Sequence, residues 1–164
     1  MRIISENIAN AESTASSPGG DPYRRRVVMD FLKSIAIAAS GMRAQAGRMR
    51  IISENIANAE STAATPGGDP YRRRIVTFRD EIDRQIDAHV VKIGQVATDT
   101  SAFRVRHEPD NPMADAKGEV KYPNVNPLVE ITDFRDAQRS YEANINVISS
   151  TRRMLQRTID ILKS

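Results

Sequence analysis

The chain has 164 residues, a formal net charge of +3, 40% hydrophobic residues but only 5% aromatic ones, and neither Trp nor Cys. So few rings argue against a compact aromatic core and favour helix-on-helix packing by Ile, Leu, Met and Ala. The lack of Cys excludes disulfides, thiolate catalysis and cysteine-rich metal sites, and no run approaches the roughly 18 apolar residues that a bilayer-spanning helix needs.

In chain order, the first feature is an internal copy. Residues 1–28 repeat residues 49–76, with changes only at Ser16/Ala64, Ser17/Thr65 and Val27/Ile75. Two near-identical copies without a third are not a solenoid, whose repeats recur at a sustained period. The second copy starts in the middle of a helical pattern, and a helix fragment without its first half is a poor folding unit. Met29-Asp30-Phe31-Leu32-Lys33 reads as a natural chain start. The expected working fold is therefore 29–164, with 1–28 a duplicated prefix outside it. The short apolar run Ser34–Ser40 continues into that helical pattern and does not read as a cleaved signal.

From Asp30, taken as N-cap, to about Ala59 the pattern is helical. Ile35, Met42, Met49 and Ile56 recur every seven residues, beside Phe31, Ala38, Gln45, Ile52 and Ala59. Together they form a coiled-coil type of seam with Gln45 as a polar defect. Pro66-Gly67-Gly68-Asp69-Pro70 ends it, because two prolines and two glycines cannot continue a helix. A phosphate cradle would need Lys and then Ser or Thr after its glycines, and Pro70-Tyr71 follow instead. Arg72, Arg73 and Arg74 beside this turn read as a solvated loop.

Residues 77–125 change character. Phe78–Ile86 suggests a short helix. His89–Ile93, Ala102–Arg106 and Glu119–Tyr122 have the β-branching or alternation of strands, with loop chemistry at Glu108–Pro112 between the last two. One sheet or two hairpins would fit this small β-rich module. Asn126 then caps a second helix whose first residue is Pro127. Phe134, Tyr141, Ile148, Leu155 and Leu162 make one seven-residue series, and Ile131, Gln138, Ile145, Arg152 and Ile159 a second. The expected fold class is mainly α: residues 29–76 and 126–164 carry long terminal helices, packed as an antiparallel coiled coil around the 77–125 insert.

Little here is catalytic. His89 and His107 have no metal-motif spacing and read as exposed. Asp80, Glu81 and Asp83, or Asp133 and Asp136, are carboxylate pairs of the kind usually found on helix surfaces. No Ser stands in a Gly-x-Ser-x-Gly setting. The chain is expected not to be an enzyme and to hold no cofactor or metal.

Two blocks carry a resemblance. Ser40-Gly41-Met42 through Asn55-Ile56-Ala57-Asn58 to Ser61-Thr62 resembles the N-terminal signature of the flagellar rod–hook axial protein family. Glu108-Pro109-Asp110-Asn111-Pro112-Met113-Ala114-Asp115-Ala116-Lys117-Gly118, followed by Val120–Asn126, is similar to its FlgC proximal-rod branch. Arg139-Ser140-Tyr141-Glu142-Ala143-Asn144 looks like the family's C-terminal helix motif. The resemblance covers 29–164 and marks Pro109, Asn111, Pro112, Asp115, Gly118, Tyr141 and Asn144 beside the Asn55–Asn58 motif. It implies a structural subunit exported unfolded by the flagellar type III apparatus, without a cleaved signal peptide. Such subunits stack across the periplasm as the rod that carries motor torque to hook and filament. Expected neighbours are copies of itself, FlgB, FlgF, FlgG and the adaptor FliE, with no nucleic acid and no direct membrane insertion. Asn55 and Asn58 are expected to pack or cap in the assembled rod. Another type III-exported filament or needle subunit would share the helices but not the Glu108–Gly118 block. A basic coiled-coil nucleic-acid binder using Arg72–Arg74 would show steeply salt-dependent binding.

Overall fold

A computed structural model describes residues 22–163. Two long helices lie antiparallel, with two β-hairpins inserted between them in sequence. Helix α1 spans Pro22–Ala57 and helix α2 spans Pro127–Lys163. At 1.5 Å per residue each is roughly 55 Å long.

Helix α1 starts eight residues before Asp30, which is therefore not its cap. Pro22 is the first helical residue, a position where the missing N–H costs nothing. The tail of the first copy, 22–28, thus runs unbroken into 29–57, while 1–21 lies outside the described residues. Its twin, Pro70–Val76, is coil and then strand. Almost the same seven residues adopt two conformations in one chain, so tertiary contacts rather than local preference decide the second. At the other end α1 stops at Ala57, where Asn58 donates its side-chain N–H to the Glu54 carbonyl at 2.8 Å. The chain then tightens through an Ala59 N–H bond to the Ile56 carbonyl at 3.1 Å.

Strands β1, Arg74–Asp83, and β2, Ala88–Thr98, pair antiparallel with a bulge between Val76 and Phe78. The short helix expected over Phe78–Ile86 is not present. Phe78, Ile82 and Ile86 stand four apart, a spacing that one helix face and one strand face both satisfy, and the pairing of Phe78 with Ile93 and Ile82 with His89 decides for the strand. Strands β3, Arg104–His107, and β4, Glu119–Tyr122, form a separate two-stranded sheet. The β module is therefore two hairpins. Residues Glu108–Gly118 connect the second pair.

The long hairpin lies on α1. Val90 is buried, the Val91 N–H donates to the Ser40 hydroxyl at 3.1 Å, and a Cβ at Gly47 would collide with Ile93. Small residues on this face of α1 let the hairpin approach.

Helix α2 begins as read from the sequence. The Asn126 side chain accepts the Leu128 N–H at 3.1 Å, and its carbonyl accepts the Glu130 N–H at 3.1 Å. The antiparallel register follows from Asn55 meeting Glu130, Arg48 meeting Asp133 and Gly41 facing Asn144. Half of the expected seam moves. Phe134, Tyr141, Ile148 and Leu155 are half-buried, but the companion series is Glu130, Ala137, Asn144 and Thr151, one residue earlier than expected. Ile131, Gln138, Ile145 and Arg152 are exposed. Both series satisfy alternating spacings of three and four. The apolar one was the natural choice from sequence, and small or polar side chains take the close approach instead.

Candidate functional site

The helices meet at a buried polar clasp. Asn55, on the last turns of α1, is 1% exposed. Its amide nitrogen donates to the Arg74 carbonyl and to Glu130 Oε2, both at 2.9 Å. Its amide oxygen accepts the Arg74 N–H and the Tyr71 hydroxyl, also at 2.9 Å. Two donors and two acceptors saturate the group. Burial holds the Tyr71 hydroxyl above the usual phenol range.

Glu130, in the first turn of α2, is also 1% exposed. Its second oxygen accepts the Arg73 Nε–H at 2.6 Å. The Arg73 guanidinium also lies 3.6 Å from Asp133 and 3.8 Å from Asp99, while Arg48 reaches Asp133 at 3.1 Å. The Arg73 N–H donates to Asn124 Oδ1 at 2.8 Å, and the Asn124 amide reaches the Ser101 hydroxyl at 2.9 Å. Four segments are tied at one point: the end of α1, the lead into β1, the 99–101 loop and the start of α2.

This corrects two sequence expectations. Arg73 is not a solvated loop residue, and Asp133 is not a free surface carboxylate. Arg72 stacks over Phe103 with its guanidinium carbon 4.0 Å from the ring centre, and Arg74 pairs with Glu54 at 2.9 Å. The run is three arginines with three separate tasks. Asp136 lies 3.9 Å from Arg139 on the exposed side of α2. His89 and His107 are exposed, with His89 Nδ1 2.6 Å from Asp80 Oδ2.

The Glu108–Gly118 block folds on itself. Asp115 Oδ1 accepts the Lys117 and Glu119 N–H groups at 2.8 and 3.0 Å. Asn111 Oδ1 accepts the Met113 N–H at 3.0 Å. Glu108 takes hydrogen bonds from the Asn111 amide at 2.9 Å and the Tyr122 hydroxyl at 3.0 Å. Gly118 sits at φ +74°, and a Cβ there would come within 3.1 Å of Pro109. Pro112 is exposed. The Met113 carbonyl accepts the Gly67 N–H at 3.3 Å, joining the block to the turn that ends the first helical region.

Donation by the Glu119 N–H holds the Asp115 carboxyl below the usual carboxylate range, and the Asn111 amide does the same for Glu108. A carboxyl whose folded pKa is depressed stabilises the fold above its ordinary pKa and loses that contribution as pH falls through the folded value. The loop is therefore expected to loosen as pH drops below about 4. Protection of the Lys117 and Glu119 amides, measured against the intrinsic exchange rate at each pH, should fall there in the native chain and be low at every pH in an Asp115→Ala variant.

Along the helix pair, on the side away from the hairpin, run two apolar grooves. Ser53, Ile56, Ala57, Ile131, Phe134, Arg135 and Gln138 line one of about 450 Å³. Ala39, Met42, Arg43, Ala46, Tyr141 and Ile148 line another of about 280 Å³. Ile131 and, two heptads on, Ile145 are exposed on one side of α2, while Leu128, 76% exposed, Val147 and Met154 are exposed at other points around the helix. Of the residues read as an interface, Ile52 is buried. Ile35, Met42, Met49, Ile56, Phe134, Tyr141, Ile148, Leu155 and Ile159 are half-buried, and Ile145 is exposed. The Leu162 side chain lies outside the described ones. Asn144 faces Gly41 closely and donates to the Ser140 carbonyl at 2.9 Å.

Among the described residues no group of three metal-ligating side chains converges, and no helix is long and apolar enough to cross a membrane. What the described residues build is a helix pair tied by a buried polar clasp, with two largely apolar grooves along it. Residues 116–161 match the family model described as the C-terminal region of flagellar basal body rod FlgEFG proteins. The chain is 51% identical over 164 residues to the flagellar basal-body rod protein FlgC of Agrobacterium fabrum, an alignment spanning all of this chain and 84% of that one. It is 35% identical over 161 residues to the FlgC of Escherichia coli O157:H7, spanning 98% of this chain and 84% of the relative. The Aquifex aeolicus FlgC matches at 34% over 136 residues, 83% of this chain and 100% of its own length. With these likenesses added to the clasped helices and the self-folded central block, the chain belongs to the FlgC family of flagellar basal-body rod proteins.

Proposed function

We propose that this rod subunit assembles by burying the apolar face of its helix pair against neighbouring subunits, and that the assembled tube transmits torque from motor to hook. The observation that carries the reading is the pair of largely apolar grooves along the helix pair, with Ile131 and Ile145 exposed on the same side of α2. Contiguous apolar surface of this kind marks an association site. In the tube the two helices and those of adjacent copies pack as a coiled coil around a common axis. FlgB, FlgF, FlgG and FliE are the neighbours this assignment names. The subunit leaves the cell through the flagellar type III apparatus without cleavage and works in the periplasmic part of the basal body. It carries no catalytic activity.

Peptide mass spectrometry of purified hook–basal bodies tests the placement. The chain should be present with the other rod proteins, and its complete absence beside them would defeat the reading. The face is tested by Ile131→Asp and Ile145→Asp. Both positions are exposed in the single subunit, so the soluble protein should melt within about 2 °C of the parent, in keeping with small surface effects. Swimming should nevertheless be lost in a host lacking its own subunit of this family. Normal swimming with both aspartates present would place the assembly face elsewhere.

A further inference from the structure

The long hairpin has two unlike faces. Phe78, Asp80 and Ile82 of β1 pair with Ile93, Val91 and His89 of β2, which puts all six on one face. There Phe78, Ile82 and Val91 are exposed, Ile82 the most at 57%. Asp80 and His89, in contact at 2.6 Å, are exposed among them. The opposite face holds the buried Val90 and the ion pairs of Arg79 and Lys92 with Glu81, so its groups already have partners. An apolar sheet face left in water is a surface that association would cover.

A complementary surface exists on the same chain, out of reach within one subunit. Helix α1 meets the hairpin at Ser40 and Gly47, whereas Ser53, Ile56 and Ala57 line the larger groove on the other flank of the helix pair. No carboxylate lines that groove. Arg135 beside it is exposed and forms no ion pair among the described residues. Between Phe78 and Val91 the hairpin carries four acidic residues against two arginines. An apolar face with acids therefore matches an apolar groove with a base. The smaller groove fits less well, because its Arg43 also lines the cleft between α1 and the hairpin. Since hairpin and groove lie on opposite flanks, each copy can give one and offer the other at once. Such a head-to-tail contact extends as an open series when its rotation does not close a ring.

We propose that the groove beside Arg135 takes the Ile82–Val91 face of a second copy's hairpin, with Asp80 of that copy set against Arg135. This rests on the rod reading above and names the partner of the groove: another copy of this chain, through its hairpin. Asp80 and Arg135 are both exposed in the single subunit, so exchanging their charges should leave the purified protein folded and its melting point near the parent's. In a host lacking its own family subunit, the parent chain should restore swimming. Asp80→Arg and Arg135→Asp should each impair it by setting like charges together, and the double exchange should recover it. The native chain has no Cys, which allows a direct probe of the contact. A copy with Ile82→Cys and a copy with Gln138→Cys, produced together in a swimming strain, should give a disulfide-linked pair of subunits in oxidised basal bodies. Absence of that linked pair overturns the proposal, and so does a double exchange that swims no better than either single one. If a different rod protein fills the groove, Arg135→Asp impairs swimming while Asp80→Arg neither impairs nor rescues it, which also overturns the proposal. A parent chain that restores swimming keeps the rod reading intact through any of these failures. A parent chain that fails to restore it removes the rod reading, and this inference falls with it.

Discussion

Replacing Arg73 with alanine is expected to destabilise the subunit by about 3 kcal/mol, the largest effect of any single substitution considered for this fold. The reason is the residue left behind. Glu130 is almost wholly buried and its Oε1 depends on the Arg73 Nε–H at 2.6 Å. With the guanidinium gone, a charged carboxylate faces Asn55 alone, close to Asp133, which loses one of its two arginine neighbours. Breaking a buried pair costs more than the pair itself contributes, because one ion stays out of water without a partner. The companion test is Glu130→Gln in the Arg73→Ala background. A neutral amide can still meet Asn55 and needs no counter-charge, so it should recover more than half of the loss. Urea unfolding followed by circular dichroism measures both. A loss below about 1 kcal/mol for Arg73→Ala would show that the clasp is wet and behaves like an ordinary surface ion pair.

The clasp also shows which parts of this protein could be read from its residues. The two helices were legible because heptad spacing survives over more than 30 residues, and the α2 start was legible because Asn126-Pro127 leaves little choice. The β1 strand was hidden by a spacing of four that helix and strand share. The partner of the Phe134 series was hidden because Glu130, Ala137, Asn144 and Thr151 look like poor seam residues until the helices are seen to approach closely. Arg73 and Glu130 lie 57 residues apart, and no local pattern joins them. A usable signal existed in retrospect: a lone Glu among Leu128, Val129 and Ile131 at a helix start sits on a face that alternating apolar spacing would bury. The duplication supplied another clue. Two nearly identical seven-residue stretches, one helical and one extended, imply that something distant holds the second.

The last expectation separates the two asparagines of the Asn55–Asn58 motif, which the sequence presents as equals. Asn55→Ala leaves the Arg74 N–H, the Arg74 carbonyl, the Tyr71 hydroxyl and one Glu130 oxygen each short of a partner. At about 1 kcal/mol for a typical lost hydrogen bond, and with some of the four relaxing toward water, the cost should approach 3 kcal/mol. Asn58 has one side-chain bond, to the Glu54 carbonyl one turn back at 2.8 Å, so Asn58→Ala should cost no more than about 1 kcal/mol. Chemical denaturation of the two variants measures the gap directly. Swimming in a host lacking its own subunit then gives the gap a meaning. If Asn55→Ala alone abolishes it, the motif works within the subunit, holding the two helices and the β1 lead in one unit that can bear torque. If Asn58→Ala also abolishes it while the purified protein stays folded, then Asn58 acts where a neighbouring subunit docks. The motif would then have one residue facing inward to the clasp and one facing outward to the rod.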